Sequence, residues 1–266
     1  MSTIEEYEIY AIRYAQLTTR QRHENFIVAD PHDGIMPIDY YIWVIRNKNR
    51  TLVVDTGFDH QEAKSRSREI IRLPEEGLDL LGIDTSQVQD VIITHLHYDH
   101  AGTTHAFSRA KFHLQDLEMA YATSRYMGHN SLKHAYSVEH VVDFVRHLYA
   151  DRIQFHSGQS VLAPGISLHH IGGHTRGLQS VRVFTKRGWV VLASDASHFY
   201  ENIEAKQPFP IVYNVGEMLE GFNHIRSLAD SDQHIIPGHD PLVMHRYSAP
   251  APELEGIIFR LDLPPA

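Results

Sequence analysis

The chain has 266 residues, enough to bury a sizeable core as one domain, and its 42% hydrophobic and 21% charged content is that of an ordinary globular protein. A formal net charge of -9 sets it apart from proteins that track a phosphate backbone with a basic stripe, and no window approaches the roughly 18 apolar residues of a membrane span, so neither nucleic acid nor membrane is expected as a partner. The lack of cysteine excludes disulfides, a thiol nucleophile and thiolate metal sites, so any metal must be held by His, Asp or Glu.

The first residues, Met1 to Glu6, lack the basic and apolar regions of a secretory signal, which makes a cytoplasmic location the expectation. Residues 7–15 and 38–46 are rich in aromatic and β-branched residues and read as strands. Between them, Ala29-Asp30-Pro31-His32-Asp33-Gly34 has strong turn chemistry and is placed to lie over a cleft or simply to connect. Residues 51–55 read as a buried strand ending in Thr56-Gly57, residues 60–72 as a helix, and Val91-Ile92-Ile93 as a second short buried strand. From about 115 to 149 apolar residues recur at three- and four-residue spacing, predicting two helices that look inserted. Strands resume at 166–171, 181–184 and 190–193, followed by an amphipathic helix near 216–229 and a strand at 234–236. The closing stretch Ala249-Pro250-Ala251-Pro252 reads as a tail bound to the surface.

The strand at 91–93 delivers the chain into His95-Leu96-His97-Tyr98-Asp99-His100, followed by Ala101-Gly102. Residues two apart in extended chain point the same way, so His95 and His97 can grip one ion; as the chain turns, Asp99 and His100 are redirected towards a second. Imidazole and carboxylate are ligands that a borderline cation such as Zn²⁺ accepts. With 21 His in the chain, isolated ones carry little weight. His105, His113, His129, His134, His140, His147 and His156 read as surface or structural residues, although some must lie near the cleft. Three further candidates stand just past apolar strands, where a packed sheet presents side chains rigidly: His174, Asp195 and His239.

The order of these pieces resembles the metallo-β-lactamase superfamily across nearly the whole chain, with Asp55-Thr56-Gly57 similar to the family's early Asp-Thr-Gly turn. The resemblance implies an α/β fold, a four-layer αββα sandwich, here as a single domain over 1–266 with a helical insertion at about 115–150. It implies two divalent metal ions, zinc the first choice with iron, manganese and cobalt open. His95, His97 and His174 would hold one ion; Asp99, His100 and His239 the other; Asp195 would bridge them. Asp55 would orient a ligand.

Among branches of that family, diiron members with an electron-transfer role carry Glu where this chain has His97, and thioesterases of the glyoxalase II type carry a longer helical C-terminal segment. Length, the helical stretch before His174 and an end soon after His239 are most similar to the N-acyl homoserine lactonases. The branch implies opening of a lactone ring, with N-acyl homoserine lactones as substrates in quorum quenching, through attack by a metal-bridging hydroxide that two cations make available near neutral pH. Asp99 is the candidate proton shuttle. One departure stands out: those lactonases have a Tyr three residues after the bridging Asp, whereas this chain has His198, whose imidazole can also donate a hydrogen bond to an oxyanion. The same ligand set leaves open another ester, a thioester, a cyclic amide or a phosphodiester as substrate, as well as a non-catalytic metal sensor, and the sequence leaves a homodimer open. Walls for a substrate tail are expected from the N-terminal aromatic segment, the loop from Phe26 to Met36 and the helical insertion.

Overall fold

The computed structural model describes residues 4–28 and 34–266, so the turn expected at 29–33 lies outside the described residues. Strand β1 (Glu8–Leu17) pairs antiparallel with β2 (Ile38–Arg46), which pairs antiparallel with β3 (Thr51–Val54). Helix α1 (His60–Ser65) is capped by Asp59, whose carboxylate accepts from the Glu62 N–H at 2.8 Å. It stops far short of the expected residue 72. Ser67 takes a positive φ of 55°, which breaks the helix, and β4 (Glu69–Ile70) then pairs with β1.

Helix α2 (Pro74–Asp79) leads to β5 (Asp90–Ile92) and β6 (Lys111–Gln115). The segment expected as two helices holds α3 (Asp116–Ala122), a short α4 (Asn130–Lys133) and α5 (Val138–Tyr149). Strand β7 (Ile153–His156) closes the first sheet, in which β3, β5, β6 and β7 run parallel. Strands β8 (Gln159–Ala163), β9 (Ile166–His170), β10 (Gln179–Thr185) and β11 (Gly188–Ser194) build the second sheet as antiparallel neighbours. After α6 (Tyr200–Glu204) and α7 (Val215–Leu228), β12 (Ile235–Pro237) adds to it, parallel to β11. Helix α8 (Leu242–Arg246) follows, and the Pro-rich stretch does run along the surface, but the chain beyond it returns as β13 (Ile258–Arg260), paired with β1.

Both faces of the central strands are apolar, and the period of two sorts them into two cores. In β2, Tyr41, Trp43 and Ile45 turn to one core together with Leu168, Val181, Val183, Val190 and Leu192 of the other sheet. Tyr40, Ile42 and Val44 turn the opposite way, to a core that includes Phe144 of α5 and Met218, Phe222 and Ile225 of α7. One core therefore lies between the sheets and the other under the helices, which gives the four layers of an αββα sandwich. Each fully buried Val, Leu, Ile or Phe contributes roughly 1.5–3 kcal/mol, so both layers hold the frame rigid at the sheet edge where the candidate ligands stand. No helix among the described residues is long and apolar enough to cross a membrane.

Candidate metal centre

The loop after β5 carries His95 to His100, the β9–β10 loop carries His174, and Asp195 and His239 directly follow β11 and β12. All seven are buried at one edge of the sheets. Three nitrogens, His95 Nε2, His97 Nδ1 and His174 Nε2, form a tight group, His97 Nδ1 lying 3.0 Å from the first and 2.9 Å from the last. Asp195 turns Oδ2 to this group, 3.2 Å from His174 Nε2, and Oδ1 to His239 Nε2 at 2.9 Å and His100 Nε2 at 3.3 Å. Asp99 Oδ2 completes the second group, 3.7 Å from both His100 Nε2 and His239 Nε2.

These residues fit metal ions. The nitrogens of the first group are spaced close to the edge, about 3.3 Å, of a tetrahedron with bonds of about 2.0–2.1 Å, and buried His100 Nε2 and Asp195 Oδ1 make no hydrogen bond. Burial pushes His95 and His97 well below the ordinary imidazole range, which keeps them neutral and able to offer a lone pair. Burial opposes charge on His100 and His239 too, but Asp195 and Asp99 outweigh it and lift both. Burial likewise penalises the Asp195 carboxylate, yet His198, His239 and His100 hold it well below the usual carboxylate range. The carboxylates thus call for positive charge between them, and divalent cations meet that demand.

The rings are aimed from behind. His174 Nδ1 donates to the Ile211 carbonyl at 2.6 Å and His239 Nδ1 to the Asp39 carbonyl at 2.8 Å, so each presents Nε2 to the centre. Asp55 does the same for His100, its Oδ2 accepting from Nδ1 at 2.7 Å while the Thr94 N–H and hydroxyl hold the carboxylate. Asp55 adopts a left-handed φ of 62°, and such a conformation costs of order 1–3 kcal/mol in a non-glycine residue. That strain turns its carboxylate under His100.

Sequence reasoning missed Glu118. From the first turn of α3 its carboxylate accepts from the Leu96 N–H at 3.0 Å, the Tyr136 hydroxyl at 2.9 Å, the Thr175 hydroxyl at 2.6 Å and the Gly177 N–H at 3.1 Å, tying the two ligand loops together. The approach is close enough that a Cβ at Gly177 would stand 2.0 Å from the Glu118 nitrogen. The only signal in the sequence is an acid in a helical first turn, which ordinarily marks a solvated helix start.

His198 turns inward. Its ring stacks on Phe209 with centroids 3.6 Å apart, Nε2 lies 3.1 Å from Asp195 Oδ2, and burial pushes the imidazole down to about 3 despite that carboxylate. The cleft above the centre is small, about 70 Å³, and is lined by Tyr40, Tyr98, Phe209 and Ile211 with Arg20, Arg66 and Arg68 at its walls. Of the expected walls, the 115–149 segment contributes His134 and Ala135, whereas the strand at 7–15 lies beneath the floor, with the Tyr14 hydroxyl donating to the Asp99 carbonyl at 2.8 Å. Nothing from the loop Phe26–Met36 lines the cleft among the described residues. Elsewhere, His113 and His140 are buried and His147 stacks on Phe112 away from the centre, while exposed His134 sits at the cleft.

A family model described as the metallo-beta-lactamase superfamily matches residues 37–252, which hold every strand but β1 and β13 and every candidate ligand. The chain belongs to this superfamily. An N-acyl homoserine lactonase of a Bacillus species is 24% identical over 192 residues, covering 66% of this chain and 70% of that protein. A probable metallo-hydrolase of Mycobacterium tuberculosis is 23% identical over 231 residues, covering 76% of this chain and 71% of its own length. Among solved structures, a quorum-quenching N-acyl homoserine lactone lactonase superposes with a TM-score of 0.74 at 21% identity, over 91% of this chain and 94% of its own. A dizinc quorum-quenching lactonase superposes with a TM-score of 0.66 at 15% identity, over 90% of each chain. The superfamily member in hand is a metallo-hydrolase with the fold of these lactonases.

Proposed function

We propose that this metallo-hydrolase opens lactone rings at a dinuclear centre, with N-acyl homoserine lactones as the first class to test. The observation that carries the reading is Asp195, which offers one carboxylate oxygen to His174 and the other to His239 and so stands between two ligand groups. His95, His97 and His174 would hold one ion, Asp99, His100 and His239 the other, with zinc the first choice. Two divalent cations there would supply a hydroxide nucleophile near neutral pH and polarise the ester carbonyl.

The chain's own residues provide the rest. The His198 Nε2–H, at the edge of Asp195, is positioned to donate to the oxyanion that develops on the carbonyl oxygen. Asp99 is the acid nearest the cleft besides Asp195, and its Oδ2 can carry a proton to the departing ring oxygen. Tyr40, Tyr98 and Phe209 exclude bulk water from the reacting atoms. Kinship with lactonases in sequence and fold supports the lactone over other esters.

A panel of medium- and long-chain acyl homoserine lactones, simple γ-lactones, a thioester and a phosphodiester, with metal content measured on the same sample, tests this. Acid release from the lactones is the expected outcome. Inert lactones beside turnover of another ester class would replace the lactone reading, and two bound metals without any turnover would point to a sensor.

A further inference from the structure

The protein carries a net charge of -9, yet three arginines converge on the walls of this one small cleft. Arg66 is occupied structurally: its Nε pairs with Glu62 Oε1 at 2.5 Å, and its Nη groups donate to the carbonyls of His134 and Tyr136. Arg20 and Arg68 are different. Arg20 donates Nε to the Asn25 side chain at 2.5 Å and Nη2 to the Glu24 carbonyl at 2.7 Å, and lies 4.9 Å over the Phe209 ring. Arg68 donates Nε to the Tyr98 hydroxyl at 3.1 Å and Nη1 to the Arg66 carbonyl at 2.6 Å. Neither has an ion-pair partner among the described residues, and Arg20 Nη1 and Arg68 Nη2 are left without a hydrogen bond.

Each guanidinium group is wired to the centre by its own chain of contacts. Arg20 packs on Phe209, which stacks on His198, which touches Asp195. Arg68 holds Tyr98, whose hydroxyl donates to that of Tyr40, and the Tyr40 ring meets His239 edge-on at 5.2 Å. Burial pushes the Arg20 guanidinium down, and Arg68 adds to that push against Tyr40 and Glu24, whereas Tyr40, Tyr98 and Asp99 hold Arg68 up against its own burial. Two half-buried, oriented cations that line one space without an ion-pair partner among the described residues form a setting that favours an anion. The carboxylates at the cleft, Asp99 and Asp195, belong to the ligand groups below.

Resting on the lactone-hydrolase reading, we propose that the preferred substrate is a small ester or lactone bearing a carboxylate, held between Arg20 and Arg68 while its ester bond lies over the His/Asp centre. A carboxylate has two oxygens for the two free Nη groups, and charge-assisted bonds of this kind are roughly twice as strong as neutral ones. The size of the cleft agrees. Its 70 Å³ is far below the roughly 300–1,000 Å³ of ordinary small-molecule pockets, so a compact charged molecule fits better than a long neutral acyl chain. The arginines are binding and positioning residues, and their loss should appear in KM.

Calorimetric titration of the metal-loaded protein with glutarate and with butyrate separates this inference from the reaction itself. One carboxylate of glutarate can meet the centre and the other the arginines, so glutarate should bind at least tenfold more tightly than butyrate. Arg20→Gln and Arg68→Gln should each cut that preference severalfold. Equal binding of the two acids in the unmodified protein overturns the proposal even if a variant fails to fold, and so does a preference that survives in both folded variants. In the kinetic arm, γ-butyrolactone is compared with the same ring bearing a carboxylate; a higher kcat/KM for the charged ring, through a lower KM, is expected, and a ratio of one or less overturns the proposal. If no lactone of either kind opens, the lactone reading falls, while the glutarate titration still decides whether the cleft takes a second carboxylate.

Discussion

His198 is where the chain departs from the lactonases it resembles, and its surroundings make the departure testable. The ring is clamped against Phe209 and its Nε2 faces Asp195. Loss of an oxyanion donor typically costs about 10²–10³ in kcat, or roughly 2.7–4 kcal/mol. His198→Ala should therefore retain its metals by elemental analysis yet lose at least tenfold in kcat, with His198→Tyr recovering part of the loss. A metal-replete Ala variant with unchanged kcat and kcat/KM would remove His198 from the mechanism. That a polar group stands at this position was legible in the sequence, because it lies three residues past an Asp that itself follows an apolar strand. Its stacking on Phe209 was not, since that partner comes from a separate loop with no pattern of its own.

Single elements carry two further consequences. Helix α3 donates Glu118 to both ligand loops, so Glu118→Gln removes a charge that four donors share without changing volume. Residues that orient ligands typically cost 10–100-fold in metal affinity when changed, and competition against a chromophoric chelator should show a loss of about that size at little cost in overall fold. Unchanged affinity would confine Glu118 to packing. Along β6 to β8, His156 bridges His113 Nδ1 at 3.0 Å and Ser160 Oγ at 2.7 Å, with Asp116 the nearby acid, and burial pushes it down to about 4. Burial, together with His224 and Arg182, does the same to His169. Both then bind protons more readily unfolded than folded, so their contribution to stability is whole above about pH 6.5 and is lost as pH falls towards about 4. Urea midpoints measured from pH 7 to 4.5 should fall, and His156→Gln with His169→Gln should flatten the slope. An equally steep slope in the double variant would assign the effect elsewhere.

At the same scale, the strands at 38–46, 51–55 and 190–193 could be read from the sequence because strands buried on both faces appear as unbroken apolar runs. The helix expected over 60–72 misled because its charge spacing persists past Ser67, where the backbone turns left-handed. Strands β6, β7, β8 and β13 lie at or near sheet edges and mix polar with apolar residues, so their identity depends on partners distant in sequence.

For the whole molecule, seven ligand candidates in two groups predict two metals per chain. Elemental analysis of fully active, zinc-supplied protein should give that number, and a reproducible value of one or less would sink the dinuclear reading. Removing the metals should also lower Tm. A ligand at 100 times its Kd adds about 2.7 kcal/mol, which for a chain near this size amounts to roughly 5–10 °C.

The centre draws four ligand candidates from a loop of the first sheet and three from loops of the second. No fragment holding one sheet contains a complete group, for His174 must cross to His95 and His97, and His239 must cross to Asp99 and His100. A chain still emerging from the ribosome would therefore have no seat for one cation until His174 and Asp195 have joined the first loop, and none for the other until β12 has brought in His239. If the contacts that complete these groups are absent from the folding transition state, they act on the return journey alone. Stopped-flow traces should show refolding that ignores added zinc and unfolding that slows with it, so that the metals behave as a latch fastened after the door has closed.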